Sequence, residues 1–216
     1  MVGGEVTGRR GRTKQDRYEQ LLDTAAKVFA ANGYAEATIH QIAAEMEMTG
    51  AAVYYYVKSK DELLYNIWKR AGARLQDALD EVMKLDVPPA EKLQLAFHRH
   101  LEMIITDKPI FEVLILQRSR LPEYGRDDLV ADERRYVRTL TELLKEFPPG
   151  ALRGDDPHVL ALGIIAMLNG VLRWYAPRQR MNLAEIARLY FEVFAHGAVV
   201  EPTAAKRSTR KRAAKP

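Results

Sequence analysis

Residues 21–64 read LLDTAAKVFAANGYAEATIHQIAAEMEMTGAAVYYYVKSKDELL, and successive helix starts can be placed along them. Leu21, Leu22, Ala25, Val28 and Phe29 recur at spacings of three and four, so they share one stripe of an amphipathic helix that is expected from residue 16. Asn32-Gly33 ends it with residues that tolerate the left-handed conformation at a helix C-terminus. Thr38 and Gln41 stand three apart, the spacing of a capping box, and predict a short second helix reaching residue 46 or 47. Thr49 opens a third through Tyr56, and Ser59 with Glu62 repeats the capping-box spacing to launch a fourth that runs to residue 83.

Two short helices joined by a tight turn form a helix-turn-helix arrangement, and the composition of the second one fits DNA. Gly50, Ala51 and Ala52 are small enough to let its N-terminal end lie deep in a major groove. Tyr54, Tyr55 and Tyr56 follow, then Lys58 and Lys60. A dry core would use Leu, Ile or Phe here, because a buried phenol needs a partner for its hydroxyl. Facing a polyanion, those hydroxyls and ammonium groups meet phosphates, as do the free N–H groups of the helix beginning at Ser59. Consecutive helical residues point about 100° apart, so the three tyrosines cannot all face DNA, and Tyr54 or Tyr56 is left for packing.

The stretch from Leu21 to Leu64 resembles the DNA-binding domain of the TetR family of transcriptional regulators through Phe29, Gly33, Thr38, Ile42, Ala43, Val53, Tyr54, Lys58, Ser59, Lys60 and Leu63. It departs from that pattern at Glu47, where the turn usually has glycine, at Ala51-Ala52, and at Val57, where phenylalanine is usual. The resemblance implies that Thr38 caps the second helix and meets a phosphate, that Thr49, Gly50, Ala51 and Ala52 sit over bases, and that Tyr54, Tyr55 and Lys60 hold the backbone. Arg10, Arg12 and Lys14 resemble basic arms that some members lay in the adjacent minor groove. One motif reads half a site, so the expected partner is a double-stranded operator with an inverted repeat, read by a homodimer.

Downstream, prolines punctuate a helical pattern, since proline suits a first turn but not a helix interior. They divide the chain into segments 89–107, 109–120, 126–147, 156–175 and 182–199. No period-two alternation of β-branched residues is present, so the fold class is all-α with about nine helices. Four regions are expected: a flexible basic arm over 1–15, the helix-turn-helix domain over 16–62, a ligand-binding and dimerisation domain over 63–200, and a disordered basic tail over 201–216. The overall charge of +4 conceals an asymmetry, because the two ends are basic and the body between them is mildly acidic. Such ends suit phosphate backbones. The absence of cysteine excludes disulfides and thiol chemistry and fits a reducing compartment. With no apolar leader and no long uninterrupted apolar run, the reading is cytoplasmic, without a membrane partner.

Residues 159–174 and 183–200 are apolar over more than one stripe and therefore need a second partner surface. Gly163, Ala166, Gly170, Ala187 and Ala195 would let helices approach closely, which predicts a four-helix interface between two copies. The middle helices should enclose an effector pocket, with Phe97, Leu101, Ile104, Phe111, Leu114, Ile115, Met167 and Leu168 as candidate apolar walls. Arg118, Arg120, Arg173, Trp174 and Tyr175 put guanidinium groups beside aromatic rings, a combination able to receive a phosphate-bearing ligand. The segment VLRWYAPRQRMNLAEIARLYFEVFAHGA is similar to the C-terminal end of TetR-type regulators of fatty-acid, sterol and aromatic-acid breakdown, several of which respond to acyl-CoA thioesters.

No enzyme, cofactor or metal signature is present: His98 and His100 lie about 200° apart on a helix, and neither an HExxH motif nor a nucleophile elbow occurs. The expected function is a ligand-responsive repressor, with an acyl-CoA thioester as the favoured effector. A multidrug sensor that accepts lipophilic cations, a sequence-tolerant architectural DNA-binding protein and an acyl-CoA enzyme are the alternatives. Acidic residues lining the pocket would favour the sensor.

Overall fold

The computed structural model describes residues 13–116, 123, 125–149, 151–152, 156–176 and 180–196. Among these residues the regular structure is α-helix, in the order α1 Lys14–Asn32, α2 Ile39–Glu45, α3 Gly50–Tyr54, α4 Lys60–Met83, α5 Pro89–Thr106, α6 Lys108–Leu116, α7 Arg126–Lys145, α8 Pro157–Trp174 and α9 Leu183–His196.

Local chemistry sets most of the boundaries. Thr13 starts α1 two residues before the expected point: its Oγ1 accepts from Asp16 N while Asp16 accepts from Thr13 N, a reciprocal cap with aspartate in place of the usual glutamate. Lys14, read as part of an arm, is therefore the first residue of a helix. Thr38 and Gln41 make the expected box at α2. The box at α4 forms by half, because Ser59 Oγ accepts from Glu62 N whereas the Glu62 carboxylate reaches past Ser59 to Lys58 N. Pro89 and Pro157 occupy first-turn positions of α5 and α8. The third helix stops at Tyr54 instead of Tyr56.

The turn between α2 and α3 is a Schellman motif. Glu47 N donates to Ala44 O at 3.1 Å and Met48 N to Ala43 O at 2.8 Å, and Glu47 itself takes φ 54°. The residue where the resembled pattern has glycine is thus held in the left-handed region that glycine occupies without steric cost.

A single apolar core runs through the whole array, from Leu21 and Phe29 of α1 through Leu63 and Ile67 of α4 to Ile186 of α9. The long helix α4 is its spine, packing against α1, α5, α6 and α7. Between α4 and α7 three polar pairs share one offset in sequence: Tyr65 Oη to Asp128 at 3.0 Å, Lys69 Nζ to Asp132 at 2.6 Å, and Gln76 Nε2 to Thr139 at 3.0 Å, each spanning 63 residues. A constant offset means that the two helices run parallel and in register. At the head of the pair, Gly125 caps α7 with φ 74°, and a β-carbon there would come within 2.2 Å of the Tyr65 ring.

Candidate functional site

The short helix α3 is pinned from behind and bare in front. Val53 is fully buried, and Gly50 lies so close to α2 that a β-carbon would meet the His40 ring at 3.2 Å. Thr49 Oγ1 caps α3 by accepting from Ala52 N at 3.2 Å. Thr38, Thr49, Ala51 and Lys58 are exposed, and Tyr54 and Tyr55 are 55% and 68% exposed. Tyr56 turns the other way: half-buried, it stacks on Tyr18 of α1 with centroids 6.4 Å apart and meets the Tyr55 ring edge-on at 5.2 Å. Lys14 Nζ sits 4.6 Å over the Tyr55 ring, a cation–π contact that ties the first turn of α1 to the C-terminal end of α3. Arg10 and Arg12 lie outside the described residues.

Lys60 corrects the expectation for it. Its ammonium donates to the carbonyls of Tyr34 at 2.8 Å, Ala35 at 3.1 Å and Ala37 at 2.9 Å, and lies 4.6 Å over the Tyr34 ring. An ammonium has three hydrogens, and all three are committed to the loop between α1 and α2. Tyr34 in turn gives its phenol proton to Asp61, and burial together with that carboxylate pushes its pKa up. Lys60 is thus a staple of the domain, which leaves Lys58 as the lysine open to solvent.

Between α4, α5, α6, α7 and α8 lies a cavity of about 250 Å³, just under the span of about 300–1,000 Å³ common for ligand pockets. Of the expected walls, Phe111, Leu114 and Ile115 of α6 line it. Phe97, Leu101, Ile104 and Leu168 are instead core, with Phe97 packed 5.9 Å from Phe191 and 6.0 Å from Phe194 of α9. Met167 is half-buried but stands off the cavity lining, and Arg173 and Trp174 are exposed at the end of α8, Trp174 beside Tyr175 and Tyr190 at 6.5 Å. Phe97 is turned to α9, and Leu101 and Ile104 are fully buried off the cavity lining. Arg118 and Arg120 lie outside the described residues.

The sequence reading missed the polar floor of this cavity. His100, 2% exposed, holds Tyr136 Oη at 2.9 Å through Nδ1 and Asn169 Oδ1 at 3.0 Å through Nε2. A carboxamide oxygen only accepts, so Nε2 carries the proton and Tyr136 donates to Nδ1. Burial lowers the His100 pKa to about 4, against which the Asn169 hydrogen bond works, and burial raises that of Tyr136. At neutral pH the floor is an uncharged chain of hydrogen bonds. The signal for it was one polar residue in each of two apolar stripes: His100 between Phe97 and Leu101, and Asn169 within the apolar run of α8. Trp68, Gly72 and Leu75 of α4 and Leu129, Asp132, Glu133 and Val137 of α7 complete the wall. Trp68 Nε1 is buried there without an acceptor among the described residues.

Residues 21–67 match the family described as bacterial regulatory proteins, tetR family, and residues 86–198, over half the chain, match the Tetracyclin repressor-like C-terminal domain. The chain belongs to the TetR family. It is 23% identical over 187 residues to the fatty acid metabolism regulator protein of Bacillus subtilis, covering 85% of this chain and 96% of that one. It is 27% identical over 209 residues to the HTH-type transcriptional repressor KstR2 of Mycobacterium tuberculosis, covering 93% and 98%. Among solved structures, AibR in complex with isovaleryl coenzyme A and operator DNA superposes with a TM-score of 0.75 at 24% identity, covering 83% of this chain and 98% of that one. This TetR-family chain thus shares its fold with that regulator.

The outer side of its last two helices is apolar. Val159 and Trp174 of α8 and Leu189 and Val193 of α9 are exposed, and β-carbons on Gly163 or Gly170 would meet nothing within 4 Å. Ala187, expected on this face, is buried within the chain. By length and composition α8, with mean hydropathy 1.3, is also the one helix among the described residues that could cross a membrane.

Proposed function

We propose that this chain is a homodimeric transcriptional repressor that binds an inverted-repeat operator and is released by an acyl-CoA thioester. One observation carries the reading: the helix that leads out of the reading head, α4, also forms a wall of a largely apolar cavity through Trp68, Gly72 and Leu75. A molecule entering that cavity touches the helix that follows α3 in the chain and packs against α1 of the same domain. Relatives named for fatty-acid metabolism and for repression, and a structural neighbour solved with an acyl-CoA and operator DNA, support the effector class. The apolar outer rows of α8 and α9 support pairing of two copies, because packing them together removes exposed apolar surface from water. Coupling is reciprocal: an effector that weakens operator binding is itself bound less tightly by the operator complex.

Selection from a random duplex pool tests the operator, and titration of the selected complex with acyl-CoA thioesters tests the effector. An inverted repeat with half-sites about 34–36 Å apart is expected, released by one range of acyl lengths. Recovery of unrelated sequences would replace this reading with the architectural one, and turnover of the thioester would make the chain an enzyme.

A second reading has one observation in its favour. Asp132 and Glu133 line the cavity, and carboxylates suit a lipophilic cation. Against it, Asp132 is already closed on Lys69 at 2.6 Å and Glu133 is itself engaged. Release of operator by tetraphenylphosphonium, with no response to acyl-CoA, would favour the cation sensor.

A further inference from the structure

The cavity has a continuation. Glu133 and Val137 of α7 and Leu162 of α8 line it and also line an open groove of about 520 Å³, whose remaining wall is Val130, Arg134, Arg138 and His158. On α8, His158, Leu162, Ile165 and Asn169 follow at spacings of four, three and four, which is one row of side chains. At 1.5 Å per residue that row is about 16 Å long. It begins in the groove and ends at the polar floor of the cavity, so the two spaces adjoin along one face of α8. The chemistry changes along it, from a mostly apolar lining to one that carries Arg134, Arg138 and His158.

Arg134 and Arg138 lie one turn apart on α7, both exposed, and neither has an ion-pair partner among the described residues. Their neighbour Arg135 closes on Asp80 at 2.8 Å, and Arg70 and Arg74 are likewise paired with carboxylates. Two unpaired guanidinium groups over a shared apolar floor form a fork for phosphate oxygens. The backbone at the head of α8 is not available for that task, since Asp156 already accepts from His158 N and Val159 N. The carboxylates at the junction are accounted for, Asp132 by Lys69 and Glu133 by its own engagement.

We propose that this groove holds the phosphate-bearing head of an amphiphilic effector whose acyl tail fills the cavity, with Arg134 and Arg138 as the phosphate ligands and His158 as a third donor. The inference rests on the acyl-CoA reading above and moves the head group from the arginines expected in the sequence to a pair that periodicity did not single out.

The test compares the wild-type chain with the double variant Arg134→Ala/Arg138→Ala by isothermal titration calorimetry. Two probe series share the same acyl groups of four to sixteen carbons: coenzyme A thioesters, and N-acetylcysteamine thioesters, which lack phosphate. The double variant should bind the coenzyme A thioester about ten-fold or more weakly, with a flatter dependence on salt, and the phosphate-free thioester as well as wild type does. Equal affinity of both proteins for the coenzyme A thioester overturns the head-group site and leaves the effector reading standing. Equal weakening towards both probe series overturns it as well, by making the arginines structural, and a melting curve from circular dichroism reads the same effect independently. Failure of wild type to bind any coenzyme A thioester overturns both proposals.

Discussion

The Lys60 ammonium lies 4.6 Å over the Tyr34 ring and closes three carbonyls of the loop that follows α1. The three donors of a lysine beside α3 are thereby committed within the chain. Lys60→Ala is expected to lower stability by about 2 kcal/mol, the size of hydrogen bonds to a charged group, read by urea unfolding. At temperatures where the variant is folded, the slope of log affinity against log salt should match wild type. Lys58→Ala should leave stability unchanged and reduce that slope by about one. A reduced slope in the Lys60 variant would restore it as a phosphate ligand.

Tyr55 and Tyr56 are adjacent and oppositely used. Tyr55 is 68% exposed, whereas Tyr56 stacks on Tyr18. Tyr55→Phe should weaken operator binding several-fold with no change in melting temperature. Tyr56→Ala should destabilise the domain by about 1–3 kcal/mol through lost packing. Gel shifts and thermal melts on the two variants check this, and the reverse pattern would exchange their roles.

Glu47 adopts φ 54° at the turn between α2 and α3. Placing glycine there removes the clash of a β-carbon with the backbone at some entropic cost, so Glu47→Gly should stabilise the chain by up to about 1 kcal/mol. The readout is the urea midpoint, with the operator affinity unchanged. A lower midpoint would mean that the carboxylate itself contributes to the turn.

His100 should make stability depend on pH. Burial holds its pKa at about 4, below the ordinary value of 6.5. Between those limits the unfolded chain takes up a proton that the native chain refuses, so stability rises with pH. The contribution is complete above pH 6.5 and is lost as pH falls towards 4. Its full size is about 3 kcal/mol. His100→Gln should flatten the profile in that window, measured by urea unfolding at pH 7.5 and 5. An unchanged slope would locate the dependence in other groups.

Much of the helix plan was legible because capping chemistry and proline are local. Thr38 with Gln41, and Pro89 and Pro157 at their first turns, fix boundaries within a residue or two of those read from spacing. The early start of α1 escaped because Thr13 pairs with Asp16, a shorter acid than the box usually employs. The cavity was less legible, for a different reason. Which face of α5 meets α7 and which meets α9 depends on how the helices cross, and that relation is not written in any one helix. Phe97 and His100 differ by a single turn yet look in different directions, one at Phe191 and the other at Tyr136 and Asn169. Lys60 shows the same limit at the reading head, since its partners lie 23 to 26 residues upstream.

The pairs between α4 and α7 act as the teeth of a key. If α7 slid by four residues, Tyr65 would face Asp132, Lys69 would face Tyr136 and Gln76 would face Leu143, so no tooth would find its own notch. Such a slide would break the Lys69 and Gln76 pairs while leaving the Tyr65 phenol a carboxylate, so the two helices are held to one register chiefly by their central teeth.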